Sequence, residues 1–236
     1  MFKAITFDFW NTLYKPPENE EAGRKRINLF WDYLLKIGFE VERKQVKRAF
    51  MKAWDMANKK QREEGIDITP RGHLAIILDE IGVELMPDME DKAYNIYTET
   101  LLDFPPVIND DVQEILPRLK SKYKLAVICN TGITPGKNLR ELMKKDGIID
   151  YFDYLVFSDE VGFAKPNIEI FNFTLNKLKA ENSCVAHIGD DVLTDMWGAK
   201  NAGMTTIWLA PEADEKLSHI DYHIRRLNEL KAIFDI

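Results

Sequence analysis

Short apolar runs alternate with helix-length stretches through the C-terminal half of the chain, and this alternation constrains the fold more than any other feature. Lys3–Phe9, Lys124–Cys129, Tyr154–Phe157, Cys184–Ile188 and Thr205–Leu209 read as buried strands. Between the later runs lie helical segments. Leu139, Leu142 and Met143 recur at helical spacing within Leu139–Lys145, and Ile168–Leu178 and Leu193–Ala202 fill the other gaps. Strands alternating with helices imply right-handed crossovers and a parallel sheet, the α/β class.

The stretch from Lys15 to Phe104 breaks the pattern, because it holds no convincing strand. Val46, Ala49, Phe50, Ala53, Trp54 and Ala57 recur with the period of a helix, so one face is apolar. Lys44, Lys47, Lys52, Lys59 and Lys60 take much of the opposite surface. Leu29, Tyr33 and Leu34 suggest an earlier helix, and Ala93, Ile96, Tyr97 and Leu101 a later one. Pro16-Pro17 and Pro105-Pro106 flank the region, and proline disfavours helix continuation, so both pairs read as hinges. The reading is an all-helical subdomain, residues 15–106, inserted after the first strand of a core made of residues 1–14 and 107–236.

Composition narrows the function classes. A chain of 236 residues suits one large α/β domain or a core with an insertion, and 45% hydrophobic content is ordinary for a buried core. The net charge of −7 argues against a nucleic-acid-coating surface. No apolar run approaches the ~18 residues that span a bilayer, so no membrane association is expected. The sequence reaches Asp8 after only a few apolar residues, so no secretory signal is expected either. Two cysteines, Cys129 and Cys184, are too few for a disulfide scaffold and read as reduced core residues of a cytoplasmic protein.

Four polar clusters fall at or shortly after predicted strand ends, the edge where open α/β sheets bind ligands. Asp8 ends the first run, before the polar turn Asn11-Thr12; a cap or turn residue is the plain alternative. Asn130, Thr131 and Gly132 follow Cys129 and supply an amide, a hydroxyl and backbone N–H groups that can cradle an oxyanion. Gly132–Asn138 superficially resembles a P-loop. Its glycine spacing is too short, and Asn138 stands where Ser or Thr would bind magnesium. Lys165-Pro166 puts a cation in restricted backbone, although a surface turn is the better account of the dipeptide taken alone. Asp190, Asp191 and Asp195 crowd carboxylates after an apolar strand. Such charges repel unless something positive sits among them, and oxygen-rich clusters suit hard cations. Helix capping by Asp191 or Thr194 explains only part of the set.

The ordered set of strand-end Asp, strand-end Asn/Thr, Lys-Pro and Gly-Asp-x-x-x-x-Asp resembles the four motifs of the haloacid dehalogenase superfamily. The likeness continues through Gly198–Met204 and the late Asp221-Tyr222-His223-Ile224. The resemblance implies a Rossmann-like core with the helical insertion as a mobile cap. It implies a Mg²⁺-dependent hydrolase of a small phosphate ester, with Asp8 as nucleophile forming an aspartyl intermediate. Mg²⁺ would be held by Asp8, the Trp10 carbonyl and Asp190, with Asp195 in support. Lys165 would hold Asp8 ionised, and Asn130 and its loop would orient the transferring group. Two departures stand out. Trp10 occupies the position where the family's phosphatases carry a general acid, and Cys129 replaces the usual Ser or Thr, a role that Thr131 would fill. Haloacid dehalogenases also carry an aromatic residue at the Trp10 position, and they need no metal. A metal-independent dehalogenase and a catalytically weak scaffold are therefore the alternatives, although dehalogenases lack the full acidic set found here.

Overall fold

The computed structural model describes residues 1–16, 21–212 and 217–236. Of the expected hinge Pro16-Pro17, Pro17 lies outside the described residues.

The strands are β1 (Ala4–Phe7), β2 (Tyr14–Lys15), β3 (Val107–Ile108), β4 (Lys124–Cys129), β5 (Tyr154–Phe157), β6 (Val185–Gly189), β7 (Thr205–Leu209) and β8 (Tyr222–Ile224). Six of them form one parallel sheet in the order β5-β4-β1-β6-β7-β8. β1, β4 and β6 are covered on both faces, which is why they read as unbroken apolar runs. β8 is absent from the five expected strands because only Ile224 of its three residues is buried. Cys184 falls just before β6, in a single turn of 3-10 helix, and is half-buried; both cysteines are free.

Phe7 lies opposite Val127 of β4 and Ile188 of β6. With that register, the residues following all three strands leave the sheet along one edge. From β1 the chain moves outward to β4 and β5, then returns to the other side of β1 for β6, β7 and β8. The reversal opens a crevice at the carboxyl ends of the central strands.

Between β2 and β3 come α1 (Glu21–Lys36), α2 (Arg43–Glu64), α3 (Pro70–Ile81) and α4 (Pro87–Asp103). β2 and β3 pair antiparallel, Tyr14 with Ile108 and Lys15 with Val107, and so clamp the two ends of this insertion together. The insertion has its own core, in which Phe30, Leu34, Val46, Ala49, Phe50, Leu74, Ile77 and Tyr97 meet. The Phe50 ring takes edge-on contacts from Phe30 at 5.2 Å and Tyr97 at 5.3 Å. The apolar face of α2 is as expected except at Trp54, which is 48% exposed and points away from this core. α1 buries Phe30 and Leu34, while Leu29 is 38% exposed.

Helices cover both faces of the main sheet. α5 (Val112–Lys120) and α6 (Gly136–Lys145) pack Ile115, Leu119, Leu139 and Met143 against Phe7 and Val127. After α7 (Ser158–Val161), α8 (Ile168–Leu178) sets Ile170, Phe171 and Leu178 against Ala126, Ile128 and Val185 on the opposite face. Among the described residues no helix is long and apolar enough to cross a membrane.

Truncating Phe30 to alanine removes the buried ring that Phe50 packs against, and is expected to cost about 3–5 kcal/mol. Leu29→Ala, one residue away on the exposed side, should stay within about 0.5 kcal/mol of the parent. Urea unfolding of both variants checks the difference, and equal losses would contradict the assigned face.

Candidate active site

Asp8 leaves β1 one residue after its last ladder position, and its N–H donates to Ile188 O at 2.8 Å. The following turn is pinned from two sides. Asn11 adopts a left-handed backbone (φ 56°), which asparagine tolerates better than most residues, and its Nδ2 donates to Asp190 Oδ2 at 3.0 Å. Asn109 Nδ2 donates to Thr12 O at 2.9 Å. Asn130 faces the Lys165 backbone: its Oδ1 accepts from Lys165 N at 2.8 Å, and its Nδ2 donates to Lys165 O at 2.9 Å. The Lys165–Pro166 peptide is cis. The Lys165 side chain is fully buried, and Nζ donates to Asp8 Oδ1 and, at 2.5 Å, to Asp195 Oδ1.

The acidic run divides by role. Asp191 caps the turn that follows it, with Oδ1 accepting from Leu193 N at 2.9 Å and Thr194 N at 2.7 Å. Its Oδ2 accepts from Arg62 Nη1 of α2 at 2.8 Å. Val192–Trp197 is wound as a π-helical turn, a form frequent at functional sites, and this turn carries Asp195. The space for the Asp195 carboxyl exists because residue 189 is glycine: a Cβ there would lie 2.4 Å from Asp195 Cγ. One oxygen from each of Asp8, Asp190 and Asp195 lies within 4.8 Å of the others.

His187 backs Asp195. Its Nε2 lies 3.1 Å from Asp195 Oδ1 and its Nδ1 2.8 Å from Thr6 Oγ1. Burial holds the imidazole below its ordinary pKa, so it stays neutral at pH 7. With Nε2–H donating to the carboxylate, Nδ1 accepts from the Thr6 hydroxyl.

Burial pushes the Asp8 carboxyl well up. Lys165 opposes that push, while Asp195 and Asp190 add to it. Asp190 is raised to about 6, first by burial and then by Asp195. Asp195 is also pushed up by burial, but Lys165 and His187 outweigh this and hold it below the usual carboxylate range. Lys165 is driven down by burial, yet Asp195 and Asp8 keep it firmly protonated. Three carboxylates thus share one ammonium, and the cluster lacks positive charge. That donor set, all oxygen and partly desolvated, fits a hard divalent cation.

Asp8, Trp10, Asn130, Lys165, Asp190 and Asp195 all border one pocket of about 220 Å³. Thr131 is not on its wall. Its backbone N–H donates to Ser158 Oγ at 2.9 Å, and its hydroxyl lies 3.1 Å from the same oxygen. Cys129 is buried at the end of β4, where burial, followed by Asp8, raises its thiol pKa far above the ordinary value. The opposite wall comes from α2, through Asn58, Gln61 and Arg62. The sequence reading missed these three. Their i, i+3, i+4 spacing marks one helix face, yet among charged neighbours that face reads as solvated. Trp54 also turns toward the core domain, its ring 3.3 Å from where a Cβ on Gly132 would sit.

Residues 2–203 match the family model for haloacid dehalogenase-like hydrolase. Pyrimidine 5'-nucleotidase YjjG of Escherichia coli (strain K12) is 34% identical over 122 residues, a match spanning only about half of either protein, 50% of this chain and 53% of that one. Glyceraldehyde 3-phosphate phosphatase of Methanothermobacter thermautotrophicus is 31% identical over 217 residues, 91% of this chain and 88% of the relative. A solved 2-haloacid dehalogenase from Pseudomonas syringae pv. Tomato DC3000 superposes with a TM-score of 0.72 over 100% of this chain and 99% of its own. At 23% identity that likeness concerns the fold alone. The strand-end carboxylates, the Lys-Pro turn and the helical insertion all lie inside the matched span, and the chain belongs to the haloacid dehalogenase-like hydrolase family.

Proposed function

We propose that this hydrolase is a Mg²⁺-dependent phosphatase of small phosphate monoesters, with Asp8 as its nucleophile. The observation that carries the reading is the charge imbalance at the pocket, where Asp8, Asp190 and Asp195 crowd around a single buried lysine. Asp8, Asp190 and the Trp10 carbonyl would hold the cation, with Asp195 supporting it. Bound there, Mg²⁺ supplies the positive charge that lets an anionic nucleophile meet an anionic phosphate. The name of the archaeal relative, a glyceraldehyde 3-phosphate phosphatase, points to the same substrate class.

In this reading an Asp8 oxygen attacks phosphorus, the ester oxygen leaves with its bonding pair, and an aspartyl phosphate forms. Water then attacks phosphorus, the bond from phosphorus to the Asp8 oxygen breaks, and the water's proton passes to solvent, leaving inorganic phosphate and the free carboxylate. Lys165 keeps Asp8 ionised and draws charge from the transferring group. Asn130 fixes the lysine by gripping its backbone on both sides. The Trp10 indole N–H is far too weak an acid to protonate a leaving group, so the leaving oxygen takes its proton from water. A missing general acid costs ~10²–10⁴ in rate, which favours esters of acidic alcohols such as phenols. Residues 15–106 act as the cap, and the protein works in the cytoplasm, where its two free cysteines stay reduced.

The dehalogenase alternative draws on Trp10. A halogenated carbon carries no phosphate charge, so that chemistry gives the concentration of carboxylates no purpose.

An aryl phosphate should be hydrolysed with Mg²⁺ and not in EDTA, with activity restored by excess Mg²⁺; undiminished phosphate release under chelation would refute the metal role. Chloride release from 2-chloropropionate by the same protein would decide for the dehalogenase. Asp8→Asn should reduce phosphate release to background with an unchanged circular dichroism spectrum, and an active variant would remove Asp8 from its role.

A further inference from the structure

The wall that α2 contributes contains a side chain whose orientation is fixed from behind. Gln61 is buried in the last turn of α2 and borders the pocket opposite Asp8. Its Nε2 donates to Asp67 Oδ1. Asp67 is itself buried, in the segment joining α2 to α3, beside Ile66, which bridges to Phe163 of the core domain. Burial raises the Asp67 carboxyl to about 6, so it is ionised at pH 7.5 and can only accept. An ionised partner settles which end of the amide faces it. Nε2 turns to Asp67, so Oε1 is the other end of an amide that lines the pocket.

The two neighbouring side chains differ. Arg62 is committed to Asp191, and Asn58 lies on the exposed surface at the rim. Gln61 is therefore the buried, oriented acceptor on the side where the leaving group of a phosphate held at Asp8 would lie. An acceptor in a half-desolvated wall favours a ligand that brings a donor and disfavours one that covers it with hydrocarbon.

We propose that Gln61, held in place by Asp67, is the specificity-determining residue that selects phosphate esters bearing a hydroxyl on the leaving group. Gln61 Oε1 accepts a hydrogen bond from that hydroxyl, and Asp67 is a positioning residue acting through Gln61. The assignment rests on the phosphatase reading above and adds the substrate feature that the site recognises.

The test compares glycerol 3-phosphate with propyl phosphate, which has the same carbon chain without the hydroxyls, at pH 7.5 with saturating Mg²⁺. The readout is the ratio of their kcat/KM values in each variant relative to the parent, so that intrinsic differences in ester reactivity cancel. The parent should favour glycerol 3-phosphate, and Gln61→Met should lower that preference about tenfold. Asp67→Asn, which lets the amide present either end, should lower it by a smaller factor, through KM more than kcat. If Gln61→Met does not fold, Asp67→Asn decides alone. A preference equal to the parent's in the folded variants would overturn the proposal, as would a parent with no preference. Release of phosphate from neither ester nor from an aryl phosphate would instead overturn the phosphatase reading beneath it.

Discussion

The structure is organised around one ammonium group taken out of water between two carboxylates. Lys165 is fully buried, and its Nζ donates to Asp8 and Asp195. An unpaired charge at that depth is not tolerated, and removing one partner of such a pair typically costs about 3–5 kcal/mol. The pairing therefore fixes more than the site. It requires the ends of β1 and β6 to lie side by side and the Lys-Pro turn to fold inward, and it requires a glycine at 189 so that the Asp195 carboxyl has room. Asn130 and His187 serve the same centre, one gripping the lysine backbone and the other the back of Asp195.

One ammonium does not balance three carboxylates. The imbalance leaves Asp8 and Asp190 above their ordinary range while Asp195, which receives both Lys165 and His187, lies below it. The cluster is thus polarised. Its inner member is satisfied by protein groups, and its outer members, toward the pocket, are the ones that need a cation. The helical insertion adds two uncharged amides, Asn58 and Gln61, and a guanidinium to the far wall, and the guanidinium is already paired with Asp191. Charge chemistry is thus confined to the sheet edge, and shape and hydrogen bonding to the insertion.

Much of the sheet-edge cluster was legible in the sequence because it depends on local order. An apolar run that ends in a charge marks a strand end, and ends of parallel strands share an edge. Side-chain choices that depend on distant partners were not legible. Asn130 read as a cradle for an anion, and its amide is spent on a backbone 35 residues away. Asp191 could be read as a helix cap from its place in the run, and the structure has it capping, but its bond to Arg62 of α2 could not be read from the sequence. Trp54 follows the period of the α2 core face, yet it belongs to the contact with Gly132. β8 is too polar to announce itself, and its place follows from β7 needing a neighbour.

Gly65 closes α2 in a left-handed conformation, and its carbonyl accepts from Ala164 N at 2.9 Å and Asn167 Nδ2 at 3.2 Å. A methyl group at this position would sit 2.4 Å from the Asn167 Cβ and act as a wedge between the two layers. The segment it would strike is the one that carries Lys165 and Pro166. The joint between the layers therefore has no slack at its tightest point: a single added carbon, more than twenty residues from any strand end in sequence, would be felt first by the turn that holds the buried cation in register.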